Sequence, residues 1–184
     1  MRIERLEIPD VIALTPKRFG DERGYFSEVF RLDVLAEAAP SLMFVQDNQS
    51  GSAQVGTVRG LHFQAPPFAQ AKLVRVLRGA VLDVAVDLRR GSSTFGRHVH
   101  HVLSAENGEQ LLVPAGFAHG FCTLAPDTEV IYKVSTYYNA AADKGLAWDD
   151  PALGIPWPVP ADKAVLSAKD RTHPKLADLP AYFD

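Results

Sequence analysis

Through the middle of the chain, short runs of Val, Leu, Ile, Phe and Tyr alternate with turn-forming residues, and this rhythm restricts the fold to an all-β sandwich or barrel. The turn markers are Gly56, Pro66-Pro67, Arg78-Gly79, Gly91, Asn107-Gly108, Pro114 to Gly116 and Pro126-Asp127. Between them the pattern predicts strands over Phe44 to Asn48, Gly56 to Phe63, Lys72 to Leu77, Val81 to Leu88, His98 to Leu103, Glu109 to Val113, His119 to Leu124 and Glu129 to Thr136. Helix is scarce: Asp33 to Ala39 suits two turns ended by Pro40, and Asp162 can open a turn running toward Lys169. After Asn139 the chain becomes rich in proline around Trp148 and Trp157. Two tryptophans bury well, so this tail is expected to pack onto the barrel.

A chain of 184 residues suits one domain, residues 1–184, comprising N-terminal strands, the barrel and the packed tail. The net charge of -3 supplies no general basic field, so nucleic acid is not an expected partner. No apolar run reaches membrane-spanning length, and charges crowd Met1 to Arg5, which makes a cytoplasmic location the expectation. Cys122 is the sole cysteine, which rules out an internal disulfide and a thiolate zinc cluster. Its setting, Gly-Phe-Cys-Thr-Leu, reads as buried strand, where cysteine behaves as a small hydrophobe.

From Gly108 to His119 the sequence places glycine, proline, glycine and histidine at the spacing of the second cupin motif. Physically this is a strand, a tight Pro-x-Gly turn, and a histidine sent into the barrel mouth at the start of the next strand. Cupins that bind metal add a His-x-His and a glutamate, whereas the corresponding stretch here is Leu61-His62-Phe63. No metal is therefore expected from the usual ligand positions. His98 and His100 share a strand face and, with His101, offer a competing metal reading. Without a third ligand they read as exposed or hydrogen-bonded strand histidines.

Five stretches in order, Phe19 to Phe26, Gln46 to Asn48, Arg59 to Gln64, Pro114 to Phe121 and Leu166 to Asp170, with Tyr132-Lys133 before the last, resemble dTDP-4-dehydrorhamnose 3,5-epimerases. The resemblance covers nearly the whole chain. It implies a double-stranded β-helix, or cupin-type jelly roll, that works as a homodimer without metal or organic cofactor. The implied substrate is dTDP-4-dehydro-6-deoxy-glucose, converted to dTDP-4-dehydro-rhamnose. Neighbouring possibilities are a 3- or 5-epimerase, a 3,4-ketoisomerase and, from another class, a metal-binding cupin.

Carbons 3 and 5 of a 4-keto sugar flank the carbonyl, so each can lose a proton to give an enolate and regain one on the other face. The site needs a base of near-neutral pKa, a group for the oxyanion, and an acid opposite the base. Histidine suits the first task. His62 is the candidate, on a strand whose alternation sends Arg59, Leu61 and Phe63 one way and Gly60, His62 and Gln64 the other. Tyr132 shares a face with Val130 and Val134, which predicts that it points inward. Asp83 is an acid amid aliphatics, so either it pairs with His119 or it faces solvent as Asp87 would at the same parity.

The remaining roles follow from the resemblance alone. It implies that Asp170 orients His62, Lys72 holds the oxygen on carbon 4, Tyr132 donates the proton and His119 bonds the substrate. Arg23 and Arg59 are diphosphate contacts by the same resemblance, and Tyr138 lines the pocket. Glu28, Gln46, Asp47, Asn48, Asp143 and Lys169 are further substrate contacts, and Phe19 and Phe26 are candidates to pack on thymine. Asp143 stands where the family often has glutamate, and Arg97 to His101 is richer in histidine than expected.

Overall fold

The computed structural model describes residues 1–184. Thirteen strands fall into two large antiparallel sheets and a separate hairpin. The first sheet contains β1 (Arg2–Arg5), β2 (Ile12–Thr15), β5 (Gln46–Ser52), β7 (Lys72–Arg78), β10 (Gln110–Val113) and β12 (Thr128–Val134). Its order is β1-β2-β10-β7-β12-β5. The second contains β6 (Val58–Gln64), β8 (Ala80–Asp87), β9 (His98–Ser104), β11 (Phe117–Thr123) and β13 (Asp143–Gly145), in the order β13-β6-β11-β8-β9. The hairpin is β3 (Arg18–Asp21) with β4 (Gly24–Ser27). A single helix, α1 (Leu32–Ala38), matches the expected one. No helix is long and apolar enough to cross a membrane.

The sheets face each other across a shared core. Ala13, Val74, Val76, Leu111, Val113 and Val130 of the first sheet meet Val81, Ala85, Val99, Leu103, Phe117 and Phe121 of the second. The outer face of the second sheet is also dry. There Leu61, Phe63, Leu82, Val84, Val86 and Ala118 pack under Leu153, Ile155, Leu176, Leu179, Tyr182 and Phe183 of the tail. Burial on both faces explains the nearly unbroken apolar run of β8. Trp157 donates its indole N–H to the Trp148 carbonyl at 2.7 Å, so the tail is pinned where the sequence predicts. Leu35 of α1 closes the outer face of the first sheet against Ile12, Leu14, Leu73 and Leu112.

The two sheets and the tail make the all-β barrel that the rhythm predicts and, more narrowly, the jelly roll that the resemblance implies. The differences lie at its margins. Apolar patterning does not reveal β1, β3 or the three-residue β13, because these are charged or held chiefly by backbone pairing. It also passes over the exposed β4 and the buried apolar β2, each only four residues long. The turn at Asp162 stops after one 3-10 turn, Ala161–Lys163, instead of running to Lys169, because Val165 is drawn into a bridge with Thr57. Strand β11 begins two residues before His119, which places that histidine in the barrel wall.

One irregularity shapes the site. His119 pairs with His62 but Phe121 pairs with Arg59, so β6 carries one more residue than β11 across this interval. The bulge resets the alternation. Arg59, opposite the core residue Phe121, and His62, opposite His119, therefore lie on the same face, where simple parity predicts opposite ones. Gly60 makes this possible: its φ is +130°, and a Cβ there would lie 2.6 Å from Gly120 Cα. Gly60→Ala is expected to cost roughly 2 kcal/mol or more, read from the urea midpoint. A midpoint equal to wild type would show that the bulge tolerates a side chain.

Candidate active site

Between the two sheets opens a cleft of about 370 Å³, lined by Gln46, Asn48, His62, Phe63, Gln64, Gln70, Lys72, Tyr132, Tyr138, Asp143 and Lys169. That size suits a small-molecule site. His62 comes from the second sheet, whereas Lys72 and Tyr132 come from adjacent strands of the first. Imidazole, ammonium and phenol are thus brought to one compartment from facing walls.

The imidazole is held from behind. His62 Nε2 lies 2.5 Å from Asp170 Oδ1, a carboxylate only 5% exposed and supplied by the tail. Burial alone would raise the Asp170 carboxyl, but hydrogen bonds from His62 and Ser167 outweigh it and hold the carboxyl below its ordinary value. An ionised carboxylate only accepts, so His62 Nε2 carries the hydrogen and Nδ1 is left to receive a proton. His173 completes the cluster: His62, Asp170 and His173 present ligand-type atoms within 4.8 Å of one another. A metal there would have to displace the short His62–Asp170 hydrogen bond.

Lys72 is buried, and its Nζ donates to the His62 carbonyl at 3.2 Å. Burial brings its pKa down to about 8, with the charges of Asp83 and Asp143 limiting the fall. Asp83 is fully buried, and His119 Nε2 lies 2.9 Å from its Oδ1, the expected pairing and not the solvent-facing alternative. Asp87, the supposed solvent-facing precedent, is equally buried and pairs with Arg89 at 2.7 Å. Burial pushes His119 below its ordinary pKa against the pull of Asp83, with Lys72 and His62 adding to the decrease. His119 is accordingly neutral, donates through Nε2, and sits behind the cleft rather than on its lining. Tyr132 is raised above its ordinary pKa, chiefly by burial, and stays a phenol at neutral pH. Arg59 is close enough to oppose that rise, and it is anchored to Ser52 Oγ and the Gly51 carbonyl.

At the mouth, Asp143 accepts from the Tyr138 hydroxyl at 3.1 Å and from Lys169 Nζ at 2.5 Å. Gln46 donates to Asn48 at 2.8 Å. The structure does not bring every expected residue here. Asp47 alternates to the opposite face of β5 and pairs with Lys133 at 3.0 Å, in a separate groove lined by Phe30, Met43 and Phe44. Arg23, its side chain 85% exposed, folds back onto Asp21, and exposed Glu28 lies 3.8 Å from Arg31. Neither lines the cleft, because the base of their hairpin packs near Arg75 to Leu77, at the far end of β7 from Lys72.

Residue patterning passes over Phe63, Gln64 and Gln70 as lining residues. Gln64, only 4% exposed, braces the loops by donating to the Phe68 and Tyr137 carbonyls and accepting from the Asn139 N–H. A polar residue ending an apolar strand was the available signal. Of the strand histidines, His98 stacks on His100 and bonds the Leu153 carbonyl, and His101 pairs with Glu109 at 2.6 Å. No third ligand joins His98 and His100. Cys122 is buried, and burial raises its thiol to about 11, which makes it a poor nucleophile.

Fold and cleft define a cupin-type jelly roll equipped for proton transfer. A family model described as dTDP-4-dehydrorhamnose 3,5-epimerase matches residues 5–178. A protein of that name from Sinorhizobium fredii is 56% identical over 183 residues, covering 100% of this chain and 93% of its own. The crystal structure of such an enzyme from Bacillus anthracis with TDP and PPi bound superposes with a TM-score of 0.91 at 50% identity, covering 95% of this chain and 98% of that one. The Legionella pneumophila enzyme in complex with dTDP-4-keto-L-rhamnose gives 0.93 at 42% identity, covering 98% and 95%. The chain belongs to the dTDP-4-dehydrorhamnose 3,5-epimerase family and is, with it, an isomerase.

His98, His119 and His173 are all held below their ordinary value of 6.5, each chiefly by burial. Unfolding lets them bind protons near that value, so their contribution to stability is full above pH 6.5 and is lost as pH falls below it. The urea midpoint is expected to drop between about pH 7.5 and about pH 5. A constant or rising midpoint would contradict the burial of neutral imidazoles.

Proposed function

We propose that the chain epimerises dTDP-4-dehydro-6-deoxy-glucose at carbons 3 and 5, giving dTDP-4-dehydro-rhamnose, with His62 as base and Tyr132 as acid. The observation that carries this reading is the placement of a carboxylate-backed imidazole and a buried phenol on facing sheets of one cleft. His62 Nδ1 takes the proton from a carbon beside the ketone, and the electron pair moves onto the carbon 4 oxygen. The Lys72 ammonium stabilises that enolate more than the ketone, the differential that lowers a barrier. Tyr132 then delivers a proton to the opposite face, inverting the carbon. The imidazolium and phenolate return to their starting forms by proton exchange with water before the second carbon reacts. Asp170 fixes the tautomer of His62 and stabilises its imidazolium.

Arg59, Gln46, Asn48, Tyr138, Asp143 and Lys169 hold the nucleotide sugar in this reading, with His119 and Asp83 supporting Lys72 from behind. Arg23 and Glu28 enter through a homodimer. Their hairpin bonds to no other strand, and it exposes 50% of Phe19, 62% of Tyr25 and 67% of Phe26, so it suits insertion beside the cleft of a second copy. Asp47 has no cleft contact to support a substrate role within the chain, and its pairing with Lys133 supports a structural one. A cytoplasmic location is in keeping with the lone unpaired Cys122.

Incubation with the substrate in heavy water, followed by NMR, is expected to place deuterium at both carbons 3 and 5. Label at one carbon would select a single-site epimerase. His62→Ala is expected to abolish exchange at both, and Tyr132→Phe to slow completed inversion by on the order of 10²-fold, more than it slows proton removal. Near-normal exchange in His62→Ala would remove the base assignment.

Lys72 loses its charge as pH rises through about 8, so kcat/KM is expected to fall across that range. Lys72→Arg, which stays charged, is expected to lose that limb. Persistence of the limb in this variant would assign it to another group.

A further inference from the structure

Behind His62 stands a second imidazole with no assigned task. His173 is 9% exposed in its side chain, and its Nε2 is buried without a hydrogen-bond partner. Asp170 Oδ1 lies 3.5 Å from it, the same oxygen that His62 contacts at 2.5 Å. The two imidazoles meet edge to face, with centroids 5.5 Å apart and planes at 83°. The seat for this ring is built into β13, where Gly145 pairs with His62. A Cβ on Gly145 would lie 2.3 to 2.4 Å from Cε1, Nε2 and Nδ1 of His173, so only glycine admits the ring.

We infer that His173 is a positioning residue for the His62–Asp170 pair, a neutral imidazole that donates its Nε2–H to Asp170 and braces the His62 ring. The inference rests on His62 being the base. The charged and titratable groups facing His173 are His62 from β6 and Asp170 and Lys169 from its own segment. Burial first and His62 second disfavour a charge on His173, so its proton is carried by the neutral ring, and Nε2 faces a carboxylate that can only accept. A shift of about half an ångström closes the contact to hydrogen-bond length. As His62 takes the substrate proton, Asp170 then remains fixed by a second donor instead of following the imidazolium, and Nδ1 keeps its aim.

His173→Phe keeps a flat aromatic ring, somewhat larger than imidazole, and removes the donor, whereas His173→Gln returns an N–H near the Nε2 position. The Phe variant is expected to lose roughly tenfold in kcat, with KM changed less than about twofold, in line with other supporting partners of reactive groups. Its acid limb should move to higher pH, because Asp170 without its second donor holds the His62 imidazolium more tightly. The Gln variant is expected to recover most of kcat and the wild-type limb. Gly145→Ala, which evicts the ring without altering His173, should reproduce the Phe phenotype and covers the case in which the Phe variant does not fold. Wild-type kcat and acid limb in the Phe variant, equal behaviour of Phe and Gln, or a loss confined to KM would overturn the inference. Absence of deuterium exchange at both carbons in wild type would instead overturn the proposed epimerisation, and near-normal exchange in His62→Ala would overturn the base assignment on which the inference rests.

Discussion

The hydrogen bond between His62 and Asp170 joins a barrel strand to the tail across 108 residues of sequence, and the chemistry proposed for the cleft depends on it. An imidazole on an open strand can adopt either tautomer and several rotamers. Bound to an ionised carboxylate, it keeps its hydrogen on Nε2 and leaves Nδ1 able to accept a proton. The tail can supply that carboxylate only because it is packed. Leu153, Leu176 and Leu179 lie on the outer face of the second sheet, Val165 bridges to Thr57, and Trp157 bonds Trp148. The apolar surface that closes the back of the barrel is therefore also what positions the proposed base.

A second constraint is charge. An ammonium removed from water costs several kcal/mol unless it is compensated, and Lys72 is buried. Asp83 and Asp143 act on it from within the wall and from the mouth. Asp83 is in turn satisfied by His119, which stays neutral and so adds no competing positive charge. The result is a lysine charged at neutral pH but poised to release its proton near pH 8. These buried polar groups explain why the facing sheets are not uniformly apolar where they open.

The barrel was legible because alternating apolar residues and turn markers leave few other folds. Tyr132 was legible for the same reason: Val130 and Val134 on its face belong inside. Arg2–Arg5 hid because its side chains are mostly exposed and the strand is held by pairing with Ile12–Thr15. Asp143–Gly145 hid because it joins β6 through its backbone. Alternation failed across Gly60, where a bulge turns Arg59 to the side of His62; glycine inside an apolar strand was the sign of it. The roles of Asp170 and Lys72 came through the resemblance, since no spacing rule links residues so far apart. His173 could not be read at all, because its meaning depends on which ring and which glycine lie next to it.

The account rests on the base and acid addressing opposite faces of one sugar ring. Crystallography of the protein with a bound dTDP-hexose measures this directly. The expected result places carbons 3 and 5 of the ring between His62 Nδ1 and the Tyr132 hydroxyl, one on each face, with the carbon 4 oxygen toward Lys72. A ring with both groups on the same face, or with Tyr132 turned out of the cleft, would contradict the mechanism.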